Sequence, residues 1–192
     1  MPLRVHTLLA DVPLHDVWAV DLPWVLEDAT RDECHRILGE YRLTRRLPAA
    51  ARALFAVRLC LGRIFRLEDQ PEGAGAASFA KGLTAEDRAR SSTAPGTSEG
   101  LFRVVYRFEN ELLLETHNRT VHAALLTALA KAGTSYRFYL AVYVCKGGWI
   151  TRVYMALIDP FRRWIIYPAL LNSIRATWEE SAHREESRCL PQ

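Results

Sequence analysis

The sequence predicts a single α+β domain in which an antiparallel sheet, built mainly from the second half of the chain, is closed by one long C-terminal helix. Three observations carry that expectation. Residues 101–145 hold four successive strand-like runs separated by short turn sequences. Asp159 and Pro160 then open a helical pattern that reaches about Ser181. The whole chain of 192 residues, 49% hydrophobic and 24% charged, has the size and composition of one globular core.

In chain order, residues 15–22 set Val17, Ala19 and Asp21 against Trp18, Val20 and Leu22, which is the two-residue period of a half-buried strand; Pro23 ends it. Thr30 and Glu33 form a T-x-x-E capping box for a helix carrying Cys34, Ile37, Leu38 and Tyr41 on one stripe. Pro48 suits the first turn of a second helix, in which Leu54, Val57, Leu61, Ile64 and Phe65 recur at three- and four-residue steps to about Leu67. Residues 68–100 change to Gly, Ala, Ser, Pro and charge, with Phe79 and Leu83 as the large apolar anchors, and read as a long flexible surface loop. Within it, Thr84 and Asp87 match the start of a cap for one helical turn ending at Arg90.

The strand-rich half begins with residues 101–108, where Phe102, Val104, Tyr106 and Phe108 are expected on one face and Arg103 and Arg107 on the other. Residues 111–117, 119–130 and 135–145 follow, with turns at Glu109-Asn110, 131–134 and 146–148, so an antiparallel meander is predicted. The alanines and leucines of 121–130 also suit a helix, but strand is preferred. In the final helix Phe161, Trp164, Ile165, Leu171, Ile174 and Trp178 are expected to form the apolar stripe, and Pro168 to kink it by removing one backbone hydrogen bond. Residues 183–192 are polar and read as a disordered tail, which sets the domain at 10–182.

Composition narrows the function. The net charge of +3, from 25 basic and 22 acidic residues spread along the chain, builds no strong field, and nucleic acid is not an expected partner. Arginine far outnumbers lysine, as in a GC-rich bacterial coding sequence. The four cysteines have no C-x-x-C spacing and read as reduced thiols in a cytoplasmic protein. The first twelve residues do not make a signal peptide, and no apolar stretch reaches the ~20 residues of a membrane span. No G-x-S-x-G, Walker loop, H-E-x-x-H or G-x-G-x-x-G occurs, so no cofactor, metal or catalytic residue is assigned. His117 and His122, five apart, are expected to point to opposite faces when read on one extended strand, where they could not share a metal ion, and Glu111 and Glu115, alternating with Leu112 and Leu114, to lie on a solvated face.

The aromatic set is the more informative feature, since Trp18, Tyr106, Tyr143 and Trp164 would supply both apolar walls and a few polar atoms to a ligand pocket. The order strand, two helices, meander and long helix resembles the helix-grip fold of the START and polyketide-cyclase-like superfamily. More specifically, residues 83–91, Pro95-Gly96-Thr97, Asn118-Arg119-Thr120-Val121-His122-Ala123 and residues 154–163 resemble a bacterial domain family of unknown function. That resemblance implies a cavity between sheet and helix. Relatives that carry the domain behind a nucleotide-binding oxidoreductase-like domain also make an oxidoreductase a candidate partner. The expected function is binding of a small apolar or aromatic molecule, lined by Trp18, Tyr106, Tyr143 and Trp164. The alternatives are a cyclase- or dehydratase-like enzyme and a protein-interaction module.

Overall fold

Strand alternation in the sequence becomes one antiparallel sheet. The computed structural model describes residues 3–23, 78–100, 102–117, 121–133, 135–145, 156 and 159–189. Strands β1 (Leu14–Leu22), β2 (Ser98–Glu99), β3 (Phe102–Arg107), β4 (Glu111–His117), β5 (His122–Ala132) and β6 (Ser135–Val144) lie in the order β1-β6-β5-β4-β3-β2. Every neighbouring pair is antiparallel, so β2 to β6 form the meander and β1 joins at the outer side of β6. With its C-terminal helix, the molecule has the α+β, helix-grip-like arrangement that the sequence predicts. Residues 122–132 are strand. The β5–β6 hairpin turns within two residues, because Ala132 pairs with Ser135 and Gly133 takes φ +65°, a left-handed value that a side chain would disfavour. The helices expected at 30–41 and 48–67 lie outside the described residues.

Alternation along β5 and β6 divides the apolar residues between two faces. Leu129, Phe138, Leu140, Val142 and Val144 pack on one side against α3 (Tyr167–Cys189), whose Tyr167, Leu170, Leu171, Ile174 and Trp178 are buried there. On the other side Ala124, Leu126, Ala141 and Tyr143 meet Val5, Leu9 and Leu83. This second cover comes from α1 (Val5–Leu8) and from a 3-10 turn at Phe79–Gly82, while α2 (Ala85–Arg90), which buries no residue, lays the Arg90 guanidinium over the Phe108 ring at 4.6 Å. The described part of the segment read as a long loop is therefore organised and tied to the sheet. α2 carries the expected box, with Thr84 Oγ1 accepting from Asp87 N–H and the Asp87 carboxylate accepting from Thr84 N–H.

Three expectations are corrected. In β3 the register slips between Val104 and Tyr106, so Val105 is an extra residue and the alternation breaks. Val104 consequently packs with Phe102, Leu112 and Leu114, while Tyr106 and Phe108 turn to the opposite face. In the final helix, Pro168 has no N–H to give. The preceding residues Arg162–Ile166 form a π turn in which Tyr167 N–H donates to Arg162 O, five residues back. One added residue rotates the start of the helix by about 100° relative to its remainder, which accounts for the exposure of Phe161 (44%) and Trp164 (80%) outside the buried stripe. The helix also continues to Cys189, past the expected end, through Ala, Arg and Glu residues that favour it.

Candidate functional site

The sheet face beneath α3 carries polar atoms that its packing does not satisfy. Register places Trp18, Leu140, Thr127 and Leu112 in one row across β1, β6, β5 and β4. At about 4.8 Å per strand, the Cα atoms of Trp18 and Thr127 stand roughly 10 Å apart with Leu140 between them. Trp18 Nε1, Thr127 Oγ1 and, on α3, Ser173 Oγ are all buried without a hydrogen-bond partner. An unpaired buried polar atom costs about 1–3 kcal/mol, so the two on this sheet face need a reason. The surrounding cover is also incomplete, since Trp18, Val20, Leu125 and Thr127 are only half-buried. Leu125 lies between the cluster under α3 and the Val104, Leu112 and Leu114 cluster.

The four aromatic positions expected to line one cavity are not gathered together. Trp18 is on the α3 face, with its ring 5.4 Å from that of Tyr167. Trp164 lies next to this region in sequence but is largely exposed. Tyr106 and Tyr143 are on the other face. There Tyr143 lines an open depression of about 450 Å³ with His6, Leu9, Asp11, Val12 and Leu14.

That other face also holds two carboxylates the sequence placed in solvent. Glu111 and Glu115 are 3% and 5% exposed, on the same side of β4 as Leu113. Each receives the opening N–H groups of a covering segment. Glu111 accepts from Arg4 N–H and Val5 N–H, both at 3.0 Å, and from the Tyr106 hydroxyl. Burial, reinforced by Glu111, pushes the Tyr106 hydroxyl far above its ordinary pKa. Glu115 accepts from the Ser78 hydroxyl and Phe79 N–H at the start of the 3-10 turn. Burial disfavours the charged form of Glu115, yet His122 and these donors hold its pKa below the usual carboxylate range. The two acids are structural anchors in the first instance, which explains how charged residues survive in the interior.

His117 and His122 are directly paired across the β4–β5 hairpin and stack at 4.3 Å on one face. The expectation of opposite faces fails because the chain reverses between them. His122 also approaches Cys145, with Sγ 3.5 Å from Nδ1.

A third cluster joins β1 to the final helix. His15, Asp16 and Asp159 offer ligand atoms within 4.8 Å of one another, as a metal site would. Arg162 already pairs with both carboxylates, at 3.0 Å to Asp159 and 3.3 Å to Asp16, and Arg163 reaches Asp16 at 2.8 Å. A cation would have to displace these guanidinium groups, so the geometry is that of an ion-pair network fastening the helix to the sheet.

No helix among the described residues is long and apolar enough to cross a membrane. No curated protein and no solved structure matches the chain. A model for the family described as "Protein of unknown function (DUF2867)" matches residues 8–169, spanning the strands of the sheet and the first residues of α3, and the chain belongs to that family.

Proposed function

We propose that this domain binds a small apolar or aromatic molecule carrying one or two polar groups, between α3 and the sheet. The observation that carries this reading is the pair of buried, unpartnered atoms on that sheet face, Trp18 Nε1 as a donor and Thr127 Oγ1 as donor or acceptor. An apolar surround with a few polar atoms is the chemistry of a small-molecule site, and a bound hydroxyl or carbonyl would remove the penalty they now carry. Trp18 keeps its expected role as an aromatic wall, and Tyr167 joins it. The same reading takes the domain as cytoplasmic, with Cys145 a free thiol and an oxidoreductase as the candidate partner that supplies or consumes the ligand.

The test uses native mass spectrometry of freshly purified protein, followed by thermal melts with 2-naphthol, an aromatic ring bearing one hydroxyl. The expected outcome is a retained small mass, or a melting temperature that rises with 2-naphthol concentration as mass action requires. Thr127→Val should stabilise the empty protein by about 1 kcal/mol, because it removes an unpaired hydroxyl, and should weaken the 2-naphthol response. No retained mass together with melts that 2-naphthol leaves unchanged would overturn the proposal.

A further inference from the structure

On the face opposite α3, where β4, β5 and β6 end together, a thiol, an imidazole and a carboxylate stand in sequence. Cys145 Sγ is 3.5 Å from His122 Nδ1, and His122 Nε2 is 3.8 Å from Glu115 Oε2. Strand pairing creates this proximity, since Cys145 N–H donates to His122 O and Glu115 pairs with Ala124, two residues along β5. The His122 ring is held in place by stacking on Phe79 at 4.2 Å and on His117 at 4.3 Å. Its Nε2 is buried and has no hydrogen-bond partner, being close enough to Glu115 to feel its charge but too far for a bond. Glu115 is fixed by Ser78 and Phe79 N–H, and Cys145 retains partial exposure. A nucleophile next to a base, with the base oriented by a third group, is the arrangement of an activated nucleophile.

We propose that Cys145 is a nucleophilic thiol, with His122 as its base and Glu115 positioning that base, and that the site captures α,β-unsaturated carbonyl compounds. These three groups complete such an addition unaided. His122, kept protonated near neutrality by its raised pKa, holds the proton taken from the thiol on Nδ1 while Sγ bonds to the β-carbon. The carbon–carbon π pair moves toward the carbonyl oxygen, and the proton then passes from Nδ1 to the α-carbon. Nothing is oxidised and no group leaves. Sulfur is a soft nucleophile in its thiolate form, which suits the β-carbon. The groups facing His122 are Glu115 and His117 from β4, Cys145 just past the end of β6, and Phe79 from the covering segment. Burial works against the charged ring, but Cys145 and Glu115 outweigh it and raise the His122 pKa to about 9. The site lies across the sheet from Trp18 and Thr127, so it stands or falls independently of the small-molecule reading.

The experiment is peptide-resolved mass spectrometry of adduct formation with acrylamide, a small uncharged α,β-unsaturated amide, on the full chain. At pH 7 Cys145 should react roughly a hundredfold faster in the native protein than in folded His122→Gln, the low end of what a positioned base supplies. That ratio should approach unity near pH 10, where hydroxide ionises the thiol in both proteins; a purely structural role for His122 would not produce this collapse. If His122→Gln does not fold, the native protein alone decides: a Cys145 rate nearly flat between pH 7 and pH 9 supports the proposal. A rate ratio near one at pH 7, or a native rate that climbs about tenfold per pH unit as an unassisted thiol does, overturns it.

Discussion

Glu111 shows how a single buried charge can organise a face of this molecule. Its carboxylate accepts two backbone N–H groups from the N-terminal segment and the hydroxyl of Tyr106, itself fully buried. Glu111→Ala would leave all three donors facing an apolar interior. The expected loss is about 2–4 kcal/mol, since hydrogen bonds to a charged group contribute roughly 1.5–3 kcal/mol each and part of the loss is recovered by water entry. Tyr106→Phe removes one bond and should cost about half as much. Urea denaturation of the two variants measures both; a Glu111→Ala protein as stable as the parent would show that the acid does not anchor α1. The anchoring of the N-terminal segment was not legible in the sequence, because two of the three donors, Arg4 N–H and Val5 N–H, lie more than 100 residues from Glu111 and are backbone groups, which carry no sequence signal. Alternation with Leu112 and Leu114 correctly said that Glu111 and Glu115 share a face, but it could not say that this face is covered. The Cys145–His122–Glu115 grouping was hidden for a similar reason: it depends on hairpin register, and the separation of His117 and His122 misled while both were read on one extended run.

Among the elements, strands were legible where packing obeys the two-residue period, as in β1, β5 and β6, and the helix cap at Thr84 was legible because it is local chemistry. What failed were insertions in a period. The extra residue at Val105 moves Tyr106 across the sheet, and the π turn before Pro168 moves Trp164 out of the helix stripe. Proline announced that the helix must adjust, but not which way. The two tryptophans of this helix test that account. Trp178 is 1% exposed, packs edge-on to Tyr136 and donates from Nε1 to Pro23 O, so Trp178→Ala should cost about 3–5 kcal/mol. Trp164 is 80% exposed, and Trp164→Ala should stay within about 0.5 kcal/mol of the parent. Equilibrium denaturation measures both, and a large loss at Trp164 would mean that the helix stripe is not the one described.

At the scale of the whole molecule, the sheet is covered on its two faces by different physics, and acid should separate them. The α3 side is held by apolar packing, through Leu140, Leu170, Ile174 and Trp178, supplemented by ion pairs from Arg162 and Arg163 at one end. The opposite cover includes short segments whose opening N–H groups end on Glu111 and Glu115. The folded state holds the Glu115 pKa below its ordinary value, so the stability it contributes is present above the unfolded pKa and is lost as pH falls through the folded one. Protonation weakens the carboxylate as an acceptor for Phe79 N–H and removes a charge that offsets His122, while Leu126, Leu140 and their neighbours lose nothing directly. As pH falls below the ordinary carboxylate range, the amides of Phe79 and the 3-10 turn should lose protection before those of β5 and β6, because local opening requires less free energy than global unfolding. Hydrogen exchange read residue by residue, with rates corrected for pH, would show the order. Glu115→Gln should reproduce the same early opening at neutral pH. Simultaneous loss of protection in the 3-10 turn and the central strands would sink the idea, since it would make the covering segment part of one cooperative unit with the sheet and leave Glu115 without a separate anchoring role.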